Sequence, residues 1–219
     1  MSSKPYFDRV AEAWDTMRSG FFSEAVRDKA LAVADVAAGA LAADIGAGSG
    51  FVTEALLAAG LRVVAVDPSE AMLDVMRRKF GAERVDYRVG EAETLPLDSG
   101  SVSAVFANMC LHHVERPPEA IREMARILEP GGRLVITDLD THDFAFLRDE
   151  HQDRWLGFAR DDLRRWFEDA GLRDVAVQDA NCACCAESQR GTQRASVSIF
   201  VASGVKLPQG DNHEPGRTP

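Results

Sequence analysis

Three glycines within five positions form the segment of this chain whose spacing is best suited to chemistry. Gly46, Gly48 and Gly50 follow an apolar stretch that ends at Ile45, and they precede a helical pattern that begins at Phe51. A glycine turn lets the backbone approach a ligand closely, and the helix start behind it offers unpaired N–H groups. The spacing therefore predicts a ligand-binding turn between a strand and a helix.

Two acidic residues flank this turn. Asp44 stands just before the glycines, and Asp67 ends the next apolar run. A carboxylate at the end of the second strand can accept hydrogen bonds from the hydroxyls of a ribose. A carboxylate before the turn would repel a pyrophosphate, but it would attract the ammonium group of an amino-acid moiety. Together the acids predict an adenosine-like ligand that also carries a cation.

The same spacing argues against a dinucleotide. The dinucleotide pattern Gly-x-Gly-x-x-Gly places its third glycine where this chain has Phe51, because Gly50 comes one residue early. S-adenosylmethionine, which has an adenosine and an ammonium, fits these residues better than NAD does. A nucleotide-binding oxidoreductase and a non-catalytic cofactor-binding module remain as alternative functions.

Alternating strands and helices are expected to position this turn. The predicted strands are Leu41–Ile45, Arg62–Val66, Val85–Val89, Val102–Ala107 and Leu134–Asp138, followed by Arg173–Gln178 and Val197–Ala202. The first five alternate with helical patterns, which predicts a mostly parallel α/β sheet with helices on both faces. The last two are separated by a polar segment, which predicts a C-terminal antiparallel hairpin that completes seven strands.

The ends of the chain differ from this central pattern. Phe7, Val10 and Trp14 recur at helical spacing, so residues 1–38 are predicted to form a helical cover. Residues 39–204 are predicted to form the ligand-binding domain. Residues 205–219 are rich in Pro, Gly, Asp and Asn and are predicted to be a disordered tail.

Composition limits the class of partner. The 219 residues carry a net charge of −10, and the isoelectric point is near 5.0, which disfavours a nucleic-acid backbone or an anionic membrane surface as partner. No apolar run reaches the length of a membrane span, and the first residues do not form a secretory signal. We therefore expect a cytoplasmic protein whose four cysteines are thiols and whose partner is a small molecule.

Residues 40–138 resemble the class I S-adenosylmethionine-dependent methyltransferases of the small-molecule type. That group includes the ubiquinone/menaquinone-biosynthesis and the arsenite methyltransferases. Five segments carry the resemblance in order, namely residues 44–50, 66–73, 90–97, 108–113 and 128–134. The resemblance implies a Rossmann-like methyltransferase fold, S-adenosylmethionine as cofactor, S-adenosylhomocysteine as product and a small-molecule methyl acceptor.

The resemblance also assigns residues to the cofactor. The glycines would pass beside its methionyl part, Asp44 would orient that part, and Asp67 would hold the ribose. The full set that it implies is Asp44, Gly46, Gly48, Gly50, Asp67, Met72, Glu91, Ala92 and Asn108. Met72, Glu91 and Ala92 would border the adenine, and Asn108 would lie near the sulfonium. Core packing of Met72 and a solvated loop charge at Glu91 remain open as alternatives.

His112 and His113 are the candidates for a catalytic base. Methyl transfer from a sulfonium requires in-line alignment and exclusion of water, and it needs a base only if the acceptor is protonated. Either histidine could remove that proton, because both follow the fourth predicted strand, where it meets the site. The alternative is that the two rings cap or pack against the following segment.

Residues for the acceptor are less sharply indicated. Trp14, Cys110, Asp138, His142, Cys184 and Cys185 are the candidates. Asp138, Asp140 and His142 alternate, which is consistent with a hard-metal or acceptor-binding corner or with a loop of polar caps. Three thiols in residues 182–185, which are predicted to lie in the hairpin loop, could bind a trivalent metalloid, so metalloid or thiol methylation is an alternative function. Their spacing is not that of a zinc site, and no metal ion is predicted.

Overall fold

A computed structural model of the protein describes residues 3–207. The described part contains seven strands, which are β1 Leu41–Ile45, β2 Arg62–Asp67, β3 Val85–Val89, β4 Val102–Asn108, β5 Leu128–Leu139, β6 Leu172–Glu187 and β7 Arg194–Lys206. Its α-helices are α1 Lys4–Val10, α2 Trp14–Phe21, α3 Ala25–Ala34, α4 Phe51–Ala58, α5 Glu70–Phe80, α6 Pro117–Ile127, α7 Ala145–His151 and α8 Arg160–Asp169.

All seven strands belong to one sheet in the order β3-β2-β1-β4-β5-β7-β6. The pairs among β1 to β5 are parallel, and β7 pairs antiparallel with both β5 and β6. The predicted seven-stranded, mostly parallel sheet with a C-terminal antiparallel pair is therefore confirmed. The strand order reverses direction at β1 and β4, and such a switch point opens a crevice at the carboxyl ends of the strands.

Apolar side chains fill both faces of this sheet. On one face, α6 and α8 bury Ile121 and Phe167 against the strands. On the other face, α4 and α5 bury Leu56 and Met76. Because β1 has helices on both faces, four of its five residues are buried and its sequence is nearly continuously apolar. Asp44 is the exception, and it lies at the end of the strand that faces the crevice.

Helices α1 and α2 lie over the crevice as a cover. A 3₁₀ turn at Ala11–Ala13 separates them. Two hydrogen bonds attach them to the sheet domain, one from Ser69 Oγ to Asp8 (2.7 Å) and one from Ser49 Oγ to Asp15 (2.5 Å). The covering helices are thus anchored beside the glycine turn and at the start of α5.

The last third of the chain departs from the sequence-based prediction. The cysteine segment 182–185 was expected in a hairpin loop, but it lies within β6, which extends to Glu187. The polar residues before it are accommodated by a register shift between Asp179 and Ala183, where Asn181 adopts a φ of 57°. A bulge therefore occurs where the sequence signals a loop.

The predicted boundary between the domain and the C-terminal tail also differs from the structure. Strand β7 continues to Lys206, so the expected boundary at residue 204 falls inside a strand. Residues 208–219, most of the predicted tail, lie outside the described residues. Within residues 3–207, no helix has the length and apolar character needed to span a membrane.

Candidate active site

The glycine turn, residues 46–50, follows β1 and leads into α4. Its glycines have φ values of 66°, 54° and 96°, which L-residues with side chains rarely adopt. A Cβ at Gly46 would lie 2.6 Å from the Cβ of Cys110, and one at Gly50 would lie 2.6 Å from the Phe80 ring. Glycine is required here both for the backbone conformation and for the close approach of β4 and α5.

Asp67, at the end of β2, is held by the backbone on both sides. Its Oδ2 accepts a hydrogen bond from the Gly48 N–H (2.8 Å), and its Oδ1 accepts one from the Ser69 N–H (2.8 Å). These bonds fix the carboxylate beside the glycine turn. Each carboxylate oxygen can accept a further hydrogen bond from a ligand hydroxyl.

Asp44, at the crevice end of β1, is almost fully buried. Its Oδ2 accepts a hydrogen bond from Thr53 Oγ1 (2.7 Å), a residue in the first turn of α4. Burial raises the pKa of Asp44 to about 7 and that of Asp67 to about 6. Both carboxylates have lost solvent, so a cation or a hydroxyl donor would replace interactions that water no longer supplies.

A cavity of about 420 Å³ extends from the glycine turn across the crevice. Of the nine residues predicted for the cofactor, it is lined by Asp44, Gly46, Gly48, Asp67, Met72, Glu91, Ala92 and Asn108. Gly50 does not line it, because it lies against Phe80 and Met76 behind the turn. Met72 is buried and packs with Ala11 and Val75, and it also lines the cavity, so core packing accounts for part of its surface and adenine contact stays a prediction.

Aromatic residues of the covering helices α1 and α2 close this cavity. Trp14 lies over Gly48, and its ring meets the Phe7 ring edge to face at 5.3 Å. Phe7 in turn contacts the His113 ring at 4.9 Å. The cover therefore connects the glycine turn to the histidine pair after β4.

His112 and His113 form a 3₁₀ turn after β4, and each ring is fixed by an oxygen acceptor. His112 Nδ1 bonds Asp138 Oδ1 at 2.6 Å, and His113 Nδ1 donates to the carbonyl oxygen of Gln152 at 3.1 Å. The neighbouring carboxylates of Asp138 and Asp153 outweigh burial and raise the pKa of His112 to about 9. Burial lowers the pKa of His113 well below its usual value, so only His113 is neutral near pH 7.

A smaller cavity of about 50 Å³ adjoins the larger one at the histidine pair. Trp14, Phe22, Met109 and His113 line both cavities. The smaller one is further lined by Tyr6, Phe21, His112, Leu139, Leu147, His151, Asp153, Cys184 and Ala186. Its wall is thus mainly aromatic and apolar, with polar groups concentrated at one side.

The structure brings only some of the predicted acceptor residues together. Asp138 bonds His112, whereas Asp140 forms a two-pronged ion pair with Arg160 and His142 Nδ1 accepts from the Phe144 N–H. The alternating residues 138, 140 and 142 therefore do not converge into one corner. Asp140 instead anchors the start of α8.

The cysteines are also distributed over different surroundings. Cys110 lies below the glycine turn, where its thiol donates to the Ile45 carbonyl and burial raises its pKa. Cys184 faces the smaller cavity, and burial raises its pKa to about 12. Cys185 is exposed, consistent with the opposite face of the strand. The structure does not place Cys184 and Cys185 together.

Thr53 and Asp153, which contact predicted site residues, were not themselves predicted from sequence. Thr53, which bonds Asp44, had no signal beyond its place in the first turn of a predicted helix. Asp153, in the loop after α7, approaches His112 Nε2 at 3.8 Å. Backbone hydrogen bonds from Arg154 and Trp155 to the His112 carbonyl hold this loop in place, a contact between distant segments that no local pattern indicates.

Comparison with known proteins agrees with this fold. Residues 43–136 match the family described as a methyltransferase domain. A demethylmenaquinone methyltransferase of Clavibacter sepedonicus is 38% identical over 152 residues, covering 64% of this chain and 61% of that protein. A malonyl-[acyl-carrier protein] O-methyltransferase of Methylococcus capsulatus is 40% identical over 108 residues, covering 48% and 39%.

A solved structure is similar over nearly the whole chain. In the complex of the Haloferax volcanii Trm112 methyltransferase activator with the putative methyltransferase, one chain matches with a TM-score of 0.76 and 24% identity. The match covers 92% of this protein and 98% of that chain. It supports the fold alone.

The sheet order is that of the Rossmann-like methyltransferase fold, and residues 43–136 match the methyltransferase-domain family. The predicted resemblance to the methyltransferases is confirmed over this segment of the chain. The chain spans 61% of the Clavibacter relative and 39% of the Methylococcus relative.

Proposed function

We propose that the protein transfers a methyl group from S-adenosylmethionine to a small molecule whose nucleophilic atom enters the smaller cavity. The observation that carries this proposal is the junction of the two cavities at Met109 and His113. The larger cavity has the two buried carboxylates and the glycine turn that suit an adenosine and an ammonium group. The smaller one has an aromatic wall and a polar side.

The acceptor has a planar or apolar body, and its reacting group extends a short distance to the junction of the two cavities. Tyr6, Trp14, Phe21 and Phe22 offer ring faces and edges to such a body. The relatives named above act on demethylmenaquinone and on malonyl-[acyl-carrier protein], which supports quinol-like and carboxylate acceptors as the first classes to test. The small volume beside His113 favours acceptors whose reacting end is slim.

Binding and turnover test the proposal separately. Calorimetry should show one S-adenosylhomocysteine bound per chain and no comparable binding of NAD. A screen with labelled S-adenosylmethionine should then include quinols, phenols, carboxylates, thiols and arsenite, with product formation as the readout. Tight NAD binding without S-adenosylhomocysteine binding would overturn the proposal. Cofactor binding with no methylated product would favour a non-catalytic binding module.

A further inference from the structure

The polar side of the smaller cavity brings together three side chains that can ligate a metal ion. One ligand atom from each of His112, His113 and Asp153 lies within 4.8 Å of the other two. His112 and Asp153 are almost fully buried. Both ring nitrogens of His151, which lines the same cavity, are also buried and have no hydrogen-bond partner within the described part of the chain.

The His112 and His113 rings are each hydrogen-bonded through Nδ1, which leaves Nε2 of each ring available to a ligand. The Gln152 carbonyl can only accept, so the proton of a neutral His113 ring lies on Nδ1. Asp138 Oδ1 likewise accepts a hydrogen bond from the Nδ1–H of His112, and two backbone N–H groups hold that carboxylate in place. Imidazoles whose outer N–H is bound by a carboxylate or carbonyl are oriented as metal ligands are in proteins.

The charges of the cluster favour a dication. Asp138 and Asp153 are two buried carboxylates on either side of one imidazole, with separations of 2.6 Å and 3.8 Å. Buried charge is costly unless it is paired. A divalent ion between the Nε2 atoms and the Asp153 carboxylate would neutralise it.

We propose that His112, His113 and Asp153 bind one divalent transition-metal ion. Imidazole and carboxylate ligands suit Zn²⁺ and its neighbours Co²⁺ and Fe²⁺. No metal ion was predicted from the cysteine spacing, and His112, His113 and Asp153 do not form a recognised short ligand motif in the sequence. Asp138 and the Gln152 carbonyl are positioning groups for the two rings.

The ion would have a role in the proposed methyl transfer, and this part rests on the proposed function. An acceptor hydroxyl bound to the ion would release its proton to solvent. The oxygen lone pair would then form a bond to the methyl carbon, while the carbon–sulfur bond breaks and leaves its electron pair on sulfur. The products are the methyl ether or ester and neutral S-adenosylhomocysteine. The junction at His113 places the ion next to the cofactor cavity.

Metal binding itself is the test, since it does not require turnover. The full chain, freed of metal by dialysis against a chelator, is titrated with Zn²⁺ by calorimetry and with Co²⁺ by absorption spectroscopy. We expect one saturable site per chain and a visible Co²⁺ spectrum from nitrogen and oxygen ligands. Asp153→Asn and His113→Gln should weaken Zn²⁺ binding by about tenfold or more, and Asp138→Asn by about 10–100-fold.

His142→Gln is the matched control, because His142 Nε2 is also buried without a hydrogen-bond partner in the described residues but lies outside the cluster. It should bind Zn²⁺ as the unsubstituted protein does. S-adenosylhomocysteine binding by each variant reports whether the fold is intact. Absence of saturable binding by the unsubstituted protein, or an equal loss in His142→Gln, would overturn the metal site. Metal binding without any methylated product would instead count against the proposed function.

Discussion

The two ends of the crevice, which we propose hold the cofactor and the methyl acceptor, are constructed in different ways. The cofactor end, formed by the glycine turn with Asp44 and Asp67, comes from two neighbouring strands and is fixed mainly by backbone groups. The acceptor end, formed by His112, His113, Asp138, Asp153 and the smaller cavity, comes from segments far apart in the chain and is fixed mainly by side chains. A backbone-built site tolerates little change in conformation, whereas a side-chain-built site can be altered one group at a time.

The largest loss of stability is expected at the cofactor end, where Gly50→Ala tests the dependence on backbone. The new Cβ would meet the Phe80 ring at 2.6 Å, and φ is 96°. We expect the free energy of unfolding to fall by about 3 kcal/mol, from combined backbone strain and overpacking. Urea denaturation measures this change.

Gly20→Ala is the control for this substitution. Gly20 lies in α2, and nothing is within 4 Å of its added Cβ. Stability should stay the same or rise by up to about 1 kcal/mol, because alanine restricts the unfolded chain. If both substitutions destabilise equally, the close approach of α4 and α5 is not what requires Gly50.

Asp67→Ala tests the carboxylate that the glycine turn orients. It should weaken S-adenosylhomocysteine binding by about 1–3 kcal/mol, because ligand hydroxyls would lose their acceptor. Calorimetric titration gives the dissociation constant. Asp74→Ala is the control, since Asp74 is an acid of α5 that pairs with Arg77 on the surface. An unchanged dissociation constant for Asp67→Ala would remove the ribose role.

Asp44→Asn separates stability from binding at the same end. The folded pKa of Asp44 is about 7, above the unfolded value of about 3.9. The folded state therefore holds the proton more tightly, and this contribution to stability is present below the unfolded pKa and is lost as pH rises through about 7. Asparagine cannot ionise, so the variant should lose less stability than the unsubstituted protein as the pH rises from the unfolded pKa to the folded pKa of Asp44.

Above neutral pH, Asp44→Asn should be more stable relative to the unsubstituted protein than it is in acid, by on the order of 4 kcal/mol. Denaturant unfolding at a series of pH values measures this difference. Cofactor affinity should fall in the same variant, because the ammonium partner is gone. A stability difference that does not change with pH would show that Asp44 is not an acid with a raised pKa in the folded protein.

The sequence predicts these two ends unequally for a physical reason. Asp44, the glycines and Asp67 are read from local patterns, since a strand, a turn and a helix start each have a sequence signal. The contact of Asp153 with His112 depends on how the loop after α7 packs on the turn after β4, which no short spacing reports. The cysteine segment was wrongly placed in a loop because its bulge at residues 179–183 carries the same polar residues as a turn.

The smallest effects are expected from two adjacent cysteines, and they test how strictly the acceptor end is confined to one face of β6. Cys184 lines the smaller cavity, whereas Cys185 is exposed and its sulfur lies 3.8 Å from Ser196 Oγ. Cys184→Ser should lower kcat/KM for the acceptor while leaving the S-adenosylhomocysteine dissociation constant unchanged. Cys185→Ser should change neither, and it should change stability by no more than about 0.5 kcal/mol. Equal losses of activity in both variants would instead support the paired-thiol site for a soft acceptor that the sequence suggested.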